Sequence, residues 1–366
     1  MYGKENESKK IEYYIIYYIL SYITMNVFDF LNKRDGLRDM TDDEFALFLP
    51  EFTTALLEFG FEPLIAYYNN TLKSASDDWL ELCKRPVIEN NISSTNVVGL
   101  SILKRNMPHI YEVQNYKGQS VLKSWTYPVL EKAIRVNRQS HSTPYISEII
   151  RQIGFVSGTS KVTMYRPLLT KRIVTYFGAK RVLDVCVGWG GRMLGSACIP
   201  GVHYTGIEPC LKTYEGLNNI CKDLALNNVT LLNGCAEHIL PTLEKGYDLA
   251  ITSPPYYNLE VYSNETTQSH MYGTYEQWVE SFLKPVVHGV LDRLTETGKS
   301  VWSVKNFKTN KQYNLYDDIV SLHVERGWVK IDLEFYVGNP VRPGSKTAKE
   351  GKEITYIFQR GAQPPL

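Results

Sequence analysis

The stretch Tyr247-Asp248-Leu249-Ala250-Ile251-Thr252-Ser253-Pro254-Pro255-Tyr256-Tyr257 joins an apolar run to two consecutive prolines. After one acidic residue, the run over 247–252 is apolar and predicts a short buried strand. Proline has no N–H and a fixed φ, so the two prolines can neither continue a strand ladder nor enter a helix. The chain is therefore held rigid where the strand stops. This loop is suited to bind a flat, polar ring. The Ser253 oxygen and the Pro254 carbonyl can accept hydrogen bonds from such a ring, and the Tyr256 ring can stack on it.

A second stretch, Val182–Arg192 (VLDVCVGWGGR), predicts a buried strand that breaks into a glycine-rich turn and then a helix. Glycines permit positive φ and let a backbone approach a ligand closely. The spacing Gly-Trp-Gly-Gly differs from the dinucleotide pattern G-x-G-x-x-G, and a glycine turn after a strand is common by itself. The next predicted strand, 203–208, ends on Glu208, whose carboxylate suits a ribose diol.

Together the two stretches resemble motif I and motif IV of S-adenosylmethionine-dependent amino-methyltransferases, which modify exocyclic amines of nucleic-acid bases. Motif IV in that family has Asp, Asn or Ser before Pro-Pro and an aromatic residue, and this chain has the serine version. The resemblance covers roughly residues 161–360. It implies S-adenosylmethionine as cofactor, with catalytic residues Ser253, Pro254, Pro255 and Tyr256. It also implies the cofactor-binding residues Asp184, Gly188, Gly190, Gly191, Glu208 and Glu237.

The resemblance also implies roles for these residues. Asp184 orders the glycine loop or binds the cofactor ammonium, and Glu208 takes the ribose hydroxyls. Glu237 lies near the adenine of the cofactor, although it could equally be a solvated carboxylate at the start of a helix. The target amine donates hydrogen bonds to Ser253 and the Pro254 carbonyl, while Tyr256 stacks on the base. A base within a duplex has to be flipped out of the helix to reach such a site.

The substrate follows from the same resemblance. The serine version is commoner among cytosine-N4 enzymes, so we expect a DNA methyltransferase with cytosine N4 slightly favoured over adenine N6. RNA is the alternative polymer, because RNA base methyltransferases use related motifs. A binding or scaffold protein that has lost catalysis is a further alternative, but a decayed enzyme would be free to lose either motif, and both are intact.

From residue 181 onward, predicted strands and helices alternate, which indicates a doubly wound, mostly parallel α/β sheet. We expect strands at 181–187, 203–208, 229–232, 247–252, 300–305, 330–337 and 353–359. Helices are expected at about 209–224, 275–294 and 314–326. The last two strands suit an antiparallel hairpin, an ending that also resembles the class I methyltransferase sheet. The cofactor should lie over the carboxyl ends of the first, second and fourth strands, at the topological switch point.

Charge divides the chain into three expected segments. Residues 1–97 carry nine basic against sixteen acidic side chains and predict an acidic, mainly helical module, a possible surface for a protein partner. In this module, Thr41 and Glu44 form a capping box for a helix that Pro50 ends or kinks.

Residues 98–160 form a basic segment. Within it, residues 98–151 carry eight basic against three acidic side chains, interleaved with aromatic residues. It either contacts nucleic acid or forms an ordinary solvated surface. Residues 161–366 form the methyltransferase domain.

Other patterns exclude function classes. The uncharged run 13–28 is shorter than the roughly 18 apolar residues of a membrane span and contains polar residues. We therefore expect a buried helix, no membrane contact and an intracellular protein.

The six cysteines have no C-x-x-C spacing, which predicts free thiols. The histidines are scattered, which predicts no metal site. In the loop 338–351 and just after it, Lys346, Lys349 and Lys352 either touch phosphate or are solvated.

Overall fold

The computed structural model describes residues 37–140, 144–159, 162–338 and 353–361. The chain divides into two compact units, one made of residues 1–71 with 111–161 and the other of residues 72–110 with 162–366. Each is described by itself, the first as the helical unit and the second as the sheet unit.

The helices of the described residues are α1 (Asp42–Phe59), α2 (Phe61–Thr71), α3 (Ala75–Lys84), α4 (Leu100–Asn106), α5 (Tyr127–Gln139), α6 (Ile146–Val156), α7 (Pro167–Phe177), α8 (Gly191–Ala197), α9 (Leu211–Asp223), α10 (Ala236–Ile239), α11 (Tyr275–Trp278), α12 (Lys284–Arg293) and α13 (Leu315–Val324). The strands are β1 (Asn91–Ser93), β2 (Gln114–Asn115), β3 (Arg181–Asp184), β4 (His203–Glu208), β5 (Val229–Asn233), β6 (Tyr247–Thr252), β7 (Glu260–Val261), β8 (Leu294–Ser303), β9 (Phe307–Lys308), β10 (Gln312–Tyr313), β11 (Trp328–Gly338) and β12 (Glu353–Arg360).

The helical unit begins with the predicted capping box. The Glu44 amide donates to Thr41 Oγ1 at 3.2 Å, and the Glu44 carboxylate accepts from the Thr41 amide at 2.8 Å. Of the two effects expected of Pro50, ending or kinking the helix, the first is wrong, because α1 continues through it to Phe59. The buried side chains on both sides of Pro50, Leu49 and Phe52, pack into the core of the unit. This packing offsets the backbone hydrogen bond that a proline removes, a loss of about 3 kcal/mol.

The sheet unit contains an eight-stranded sheet in the order β1-β11-β12-β8-β6-β3-β4-β5. All neighbours are parallel except at β12, which runs antiparallel to both β11 and β8. Apart from the edge strand β1, this order and the single reversed strand are those of the class I methyltransferase sheet. The predicted doubly wound, mostly parallel fold is therefore confirmed. The order reverses between β3 and β6, which makes that boundary the switch point.

Most element boundaries agree with the sequence. The strands at 203–208 and 247–252 are confirmed to the residue. The first strand stops at Asp184 instead of 187, because the chain turns there and the Asp184 carboxylate accepts the Cys186 amide at 3.2 Å. The helix expected over 275–294 consists of three consecutive segments in the structure. These are α11, a π-helical turn at Val279–Leu283, and α12. The strand expected at 300–305 begins earlier, at Leu294.

The segment 72–110 packs with the sheet unit. Its strand β1 extends the sheet beside β11, with Asn91 opposite Tyr336. In α3, the buried Asp78 accepts from the amides of Gly99 and Ser101, both at 2.9 Å, and so fixes the start of α4. The roles expected for residues 1–97 and 98–160 stay predictions.

Within the described ranges, no helix combines the length and apolar character needed to cross a membrane. The run 13–28 and the lysines at 346, 349 and 352 lie outside the described residues. All six cysteines are free, as the spacing predicted.

Candidate active site

A buried ion pair lies beneath the glycine-rich turn between β3 and α8. Arg192 Nε lies 2.7 Å from Asp184 Oδ2, and the Tyr204 hydroxyl donates to the same oxygen at 2.8 Å. Arg192 also donates to the carbonyls of Cys186 and Val187, so it ties the carboxylate to the turn itself. Of the two roles expected for Asp184, this arrangement favours ordering the loop, since its oxygens are already engaged by the chain.

The pKa values of Arg192 and Tyr204 keep the guanidinium charged and the tyrosine neutral. Burial lowers the pKa of Arg192, but the charge and hydrogen bond of Asp184 outweigh it, and the pKa ends above its ordinary value. Burial and the neighbouring Asp184 raise the pKa of Tyr204 well above its ordinary value. Tyr204 therefore remains a hydrogen-bond donor to the carboxylate. Nothing in the sequence spacing had singled out Arg192 or Tyr204.

The three glycines of the turn are needed for two reasons, a left-handed backbone conformation and a close contact. Gly188 and Gly190 have φ of 55° and 86°, in the left-handed region that glycine adopts without strain. Gly191 is the first residue of α8, and the Tyr165 carbonyl lies directly against it. A Cβ at this position would lie only 2.1 Å from the carbonyl oxygen. The chain that precedes α7 therefore passes over the turn, and only glycine fits beneath it.

Glu208 joins the turn to the following strand end. Its two carboxylate oxygens accept from the amides of Gly188 at 2.8 Å and Cys210 at 2.9 Å. Burial raises the pKa of Glu208 to about 7, although both amide hydrogen bonds lower it. The carboxylate lies where β4 ends, beside the turn after β3.

Glu237 lies on α10, which follows β5. One of its oxygens accepts from the Tyr272 hydroxyl, and the other, Oε2, is buried without a hydrogen-bond partner among the described residues. A buried carboxylate oxygen without a donor is costly, so this atom suits a ligand N–H such as that of an adenine amine. Glu237 also belongs to a group with Cys235 and His238 whose side-chain N, O and S atoms lie within 4.8 Å of one another.

The Ser253–Tyr256 motif follows β6, whose neighbours are β3 and β8. The Tyr256 hydroxyl accepts from the Lys305 amide at 3.1 Å, and its ring lies edge-on to Phe307 with centroids 5.4 Å apart. The loop after β8 therefore fixes the tyrosine that follows the prolines. Ser253 and Pro254 lie at the same carboxyl edge of the sheet as the glycine turn.

Tyr257, next in the chain, has φ of 48°, an unusual conformation for a residue with a side chain. Its hydroxyl donates to the Gly273 carbonyl at 2.5 Å, and its ring packs among Tyr275, Trp278 and Tyr313. These contacts hold the strained backbone immediately after the motif. No pattern in the sequence indicates these contacts of Tyr257.

The insert 258–272 lies over the ends of β3, β4 and β5. Glu265 accepts from the Leu211 amide at 3.2 Å, and Thr267 Oγ1 donates to the Pro209 carbonyl at 3.3 Å. The Tyr262 ring lies 6.0 Å from that of Trp189, in the glycine turn. With the Tyr272 contact to Glu237, the insert covers the loops after β3, β4 and β5. Its role could not be predicted, because a loop without periodicity does not reveal what it covers.

Comparisons with known proteins give similarities only among solved structures. No protein-family model matches the sequence, and no curated protein matches it. TrmN from Thermus thermophilus is 16% identical over 53% of this chain and 48% of its own, with a TM-score of 0.35. NSun6 from Pyrococcus horikoshii, solved with SFG, is 16% identical over 57% of this chain and 55% of its own, with a TM-score of 0.40. Aeropyrum pernix fibrillarin, solved with natively bound S-adenosyl-L-methionine, is 14% identical over 49% of this chain and 66% of its own, with a TM-score of 0.32.

Proposed function

We propose that this protein transfers a methyl group from S-adenosylmethionine to an exocyclic amine of a nucleic-acid base. The observation that carries the proposal is the adjacency of two loops at one edge of the sheet. The glycine-rich turn follows β3 and the Ser253–Tyr256 motif follows β6, and these strands pair directly, with Leu183 opposite Ala250. Neighbouring strands lie about 4.8 Å apart, so a cofactor on the first loop and a base on the second can meet.

The residues of the cofactor side fit S-adenosylmethionine. Gly188 and Gly190 give a turn whose backbone can approach the methionine part, while Asp184 and Arg192 hold that turn in place. We assign the Glu208 carboxylate to the ribose hydroxyls and the Glu237 oxygen without a partner among the described residues to the amine of the cofactor adenine. When bound, S-adenosylmethionine supplies the electrophilic methyl group.

The residues of the base side fit a planar amine. The Ser253 oxygen and the Pro254 carbonyl accept hydrogen bonds from the target amine, which orients its nitrogen lone pair. Tyr256 provides the ring on which the base stacks, held by Lys305 and Phe307. Rate acceleration then comes from orientation and from acceptors already in place, with no covalent intermediate on the protein.

For the substrate, we propose DNA, with cytosine N4 slightly favoured over adenine N6, on the basis of the serine at position 253. RNA is the alternative polymer. The basic segment gives limited support to either, because several of its arginines are already paired within the helical unit. Arg135 pairs with Glu131, Arg138 with Asp42, and Arg151 with Glu148. The remaining alternative is a binding protein that keeps the fold without catalysis.

A transfer assay tests the proposal. The protein is incubated with methyl-labelled S-adenosylmethionine and, separately, duplex DNA, single-stranded DNA or RNA, and label in the polymer is counted. We expect label in DNA with the wild type and little with Tyr256→Ala, while cofactor binding by calorimetry is kept. Label in RNA alone would overturn the choice of polymer. Cofactor binding without transfer to any polymer would favour the binding protein.

A further inference from the structure

We propose that the hairpin β9–β10, outside the two motifs, contacts the polynucleotide backbone beside the target base. The phosphates of the strand that carries the base are bound by Lys308, in β9, and by Lys305, two residues before β9. The inference rests on the proposed function for its class of partner, and it adds a site that neither the motifs nor the basic segment predicted.

The hairpin has one buried and one exposed face. Phe307 pairs with Tyr313, and Lys308 pairs with Gln312. The rings of Phe307 and Tyr313 are buried and stack with centroids 4.9 Å apart, whereas Lys308 and Gln312 are exposed. Since side chains alternate along a strand, the packing of the two rings forces the polar pair outward.

The hairpin is attached directly to the candidate catalytic motif. The Phe307 ring contacts the Tyr256 ring, and the Lys305 amide donates to the Tyr256 hydroxyl at 3.1 Å. Tyr313 also contacts Tyr257, with ring centroids 5.6 Å apart. The backbone that carries the exposed lysines is therefore fixed relative to the ring on which the base would stack.

The charges around the hairpin leave two lysines uncompensated. Lys311 lies 3.5 Å from Glu276, and its ammonium lies over the Tyr313 ring at 5.2 Å. Asp317 accepts from the Asn306 amide group at 2.8 Å. Among the described residues, neither Lys305 nor Lys308 takes part in an ion pair.

These features suit a phosphate backbone better than a small ligand. The exposed lysines offer positive charge to solvent beside the candidate motif, and polynucleotide phosphates are bound in this sequence-independent way. A nucleotide whose base stacks on Tyr256 would carry its own phosphates toward the rim of the site. Lys305 and Lys308 lie on either side of this contact in the chain, since the Lys305 amide bonds to Tyr256 and Lys308 follows Phe307.

Salt-dependent binding tests the inference. Affinity for a fluorescent oligonucleotide is measured by anisotropy at several salt concentrations, in separate arms with duplex DNA, single-stranded DNA and RNA. Lys305→Gln and Lys308→Gln are compared with Lys180→Gln, a matched exposed lysine just before β3, at the opposite edge of the sheet. We expect each hairpin variant to bind several-fold more weakly at low salt and to lower the slope of log affinity against log salt by about 1. Lys308→Arg should restore most of the affinity, because it keeps the charge.

The outcomes separate this inference from the proposed function. If the wild type binds an oligonucleotide and both hairpin variants keep its affinity and slope, the hairpin contact is wrong and the proposed function stands. If the wild type binds no polynucleotide in any arm, both are wrong. Wild-type cofactor affinity in the variants shows that a loss of oligonucleotide binding does not come from misfolding. The arm in which the slope changes identifies the polymer.

Discussion

Asp184 and Arg192 form an ion pair of 2.7 Å between two buried side chains, directly beneath the turn that the proposal assigns to the cofactor. The pair connects the end of β3 to the first turn of α8, and Tyr204 adds a hydrogen bond from β4. Three elements at the switch point of the sheet are thus fixed to one carboxylate. The geometry of the turn depends on this carboxylate before any ligand binds.

Replacing Asp184 by asparagine should therefore destabilise the protein strongly. The change leaves the buried guanidinium of Arg192 without its counter-charge, a loss of about 3–5 kcal/mol. Tyr204→Phe is the matched control, since it removes one hydrogen bond to the same carboxylate and should cost about 1–2 kcal/mol. Urea unfolding of the three proteins measures the difference. Equal midpoints for Asp184→Asn and the wild type would show that the pair does not hold the turn.

A methyl group at Gly191 should abolish the turn, because it would overlap the Tyr165 carbonyl, a backbone atom that has little freedom to move. We expect Gly191→Ala to lower the affinity for S-adenosylmethionine by about tenfold or more, which corresponds to about 1.4 kcal/mol. Gly201→Ala is the control, since Gly201 has φ of 76° but open space around its Cβ position. It carries only the strain of the left-handed conformation and should bind the cofactor normally. Calorimetric titration of both variants decides, and wild-type affinity in Gly191→Ala would contradict the close packing.

The raised pKa of Glu208 should appear in the pH dependence of stability. Burial raises this pKa from 4.5 to about 7, so the native state holds the proton more tightly than the unfolded state. Stability contributed by this group is present below about pH 4.5 and is lost as the pH rises through about 7. Glu208→Gln cannot titrate, so the stability of the wild type relative to this variant should fall over that range and then level off. Denaturation at a series of pH values measures it, and a difference independent of pH would refute the shift.

Cofactor binding should show the opposite trend with pH. An ionised Glu208 accepts hydrogen bonds from ribose hydroxyls more strongly than a protonated one. We therefore expect the affinity for S-adenosylmethionine to rise as the pH passes through about 7 in the wild type, and to change little in Glu208→Gln. Titrations of both proteins at several pH values provide the test. The same pH dependence in the two proteins would exclude a ribose contact by this carboxylate.

Tyr256 should act through its ring more than through its hydroxyl. Tyr256→Ala removes a stacking surface worth about 1–3 kcal/mol per base, so kcat/KM for the polymer should fall by about tenfold or more. Tyr256→Phe keeps the ring and removes the acceptor of the Lys305 amide, a loss of about 1 kcal/mol. Steady-state kinetics with both variants compares the two contributions. Equal losses would point to the hydroxyl and exclude stacking as the main role.

The parts of the fold that could be predicted are those in which local chemistry ends an element. Strand β6 is an apolar run stopped by Pro254, and β4 is a run stopped at Glu208 before another proline. Their boundaries followed from the sequence alone. The turn between β3 and α8 could be located by its glycines, and the parallel order followed from the alternation of strands and helices.

The parts that escaped prediction depend on contacts between residues far apart in the chain. Arg192 gains its partner only when β3 and α8 fold together, and the Tyr165 carbonyl over Gly191 has no local signature. Strands β9 and β10 have two residues each, too few for a periodic pattern. Pro50 does not end α1, because the packing of the helix outweighs the local preference of proline.

The most direct test of the central claim is to identify the methylated nucleoside. DNA and RNA treated with the wild type and S-adenosylmethionine are digested to nucleosides and analysed by mass spectrometry, with Ser253→Ala treated in parallel. The account predicts a nucleoside methylated on an exocyclic nitrogen of DNA, N4-methylcytosine ahead of N6-methyladenine, at a much lower level with the variant. Methylation on a ring carbon or on ribose, or no methylated nucleoside from a protein that binds the cofactor, would contradict it.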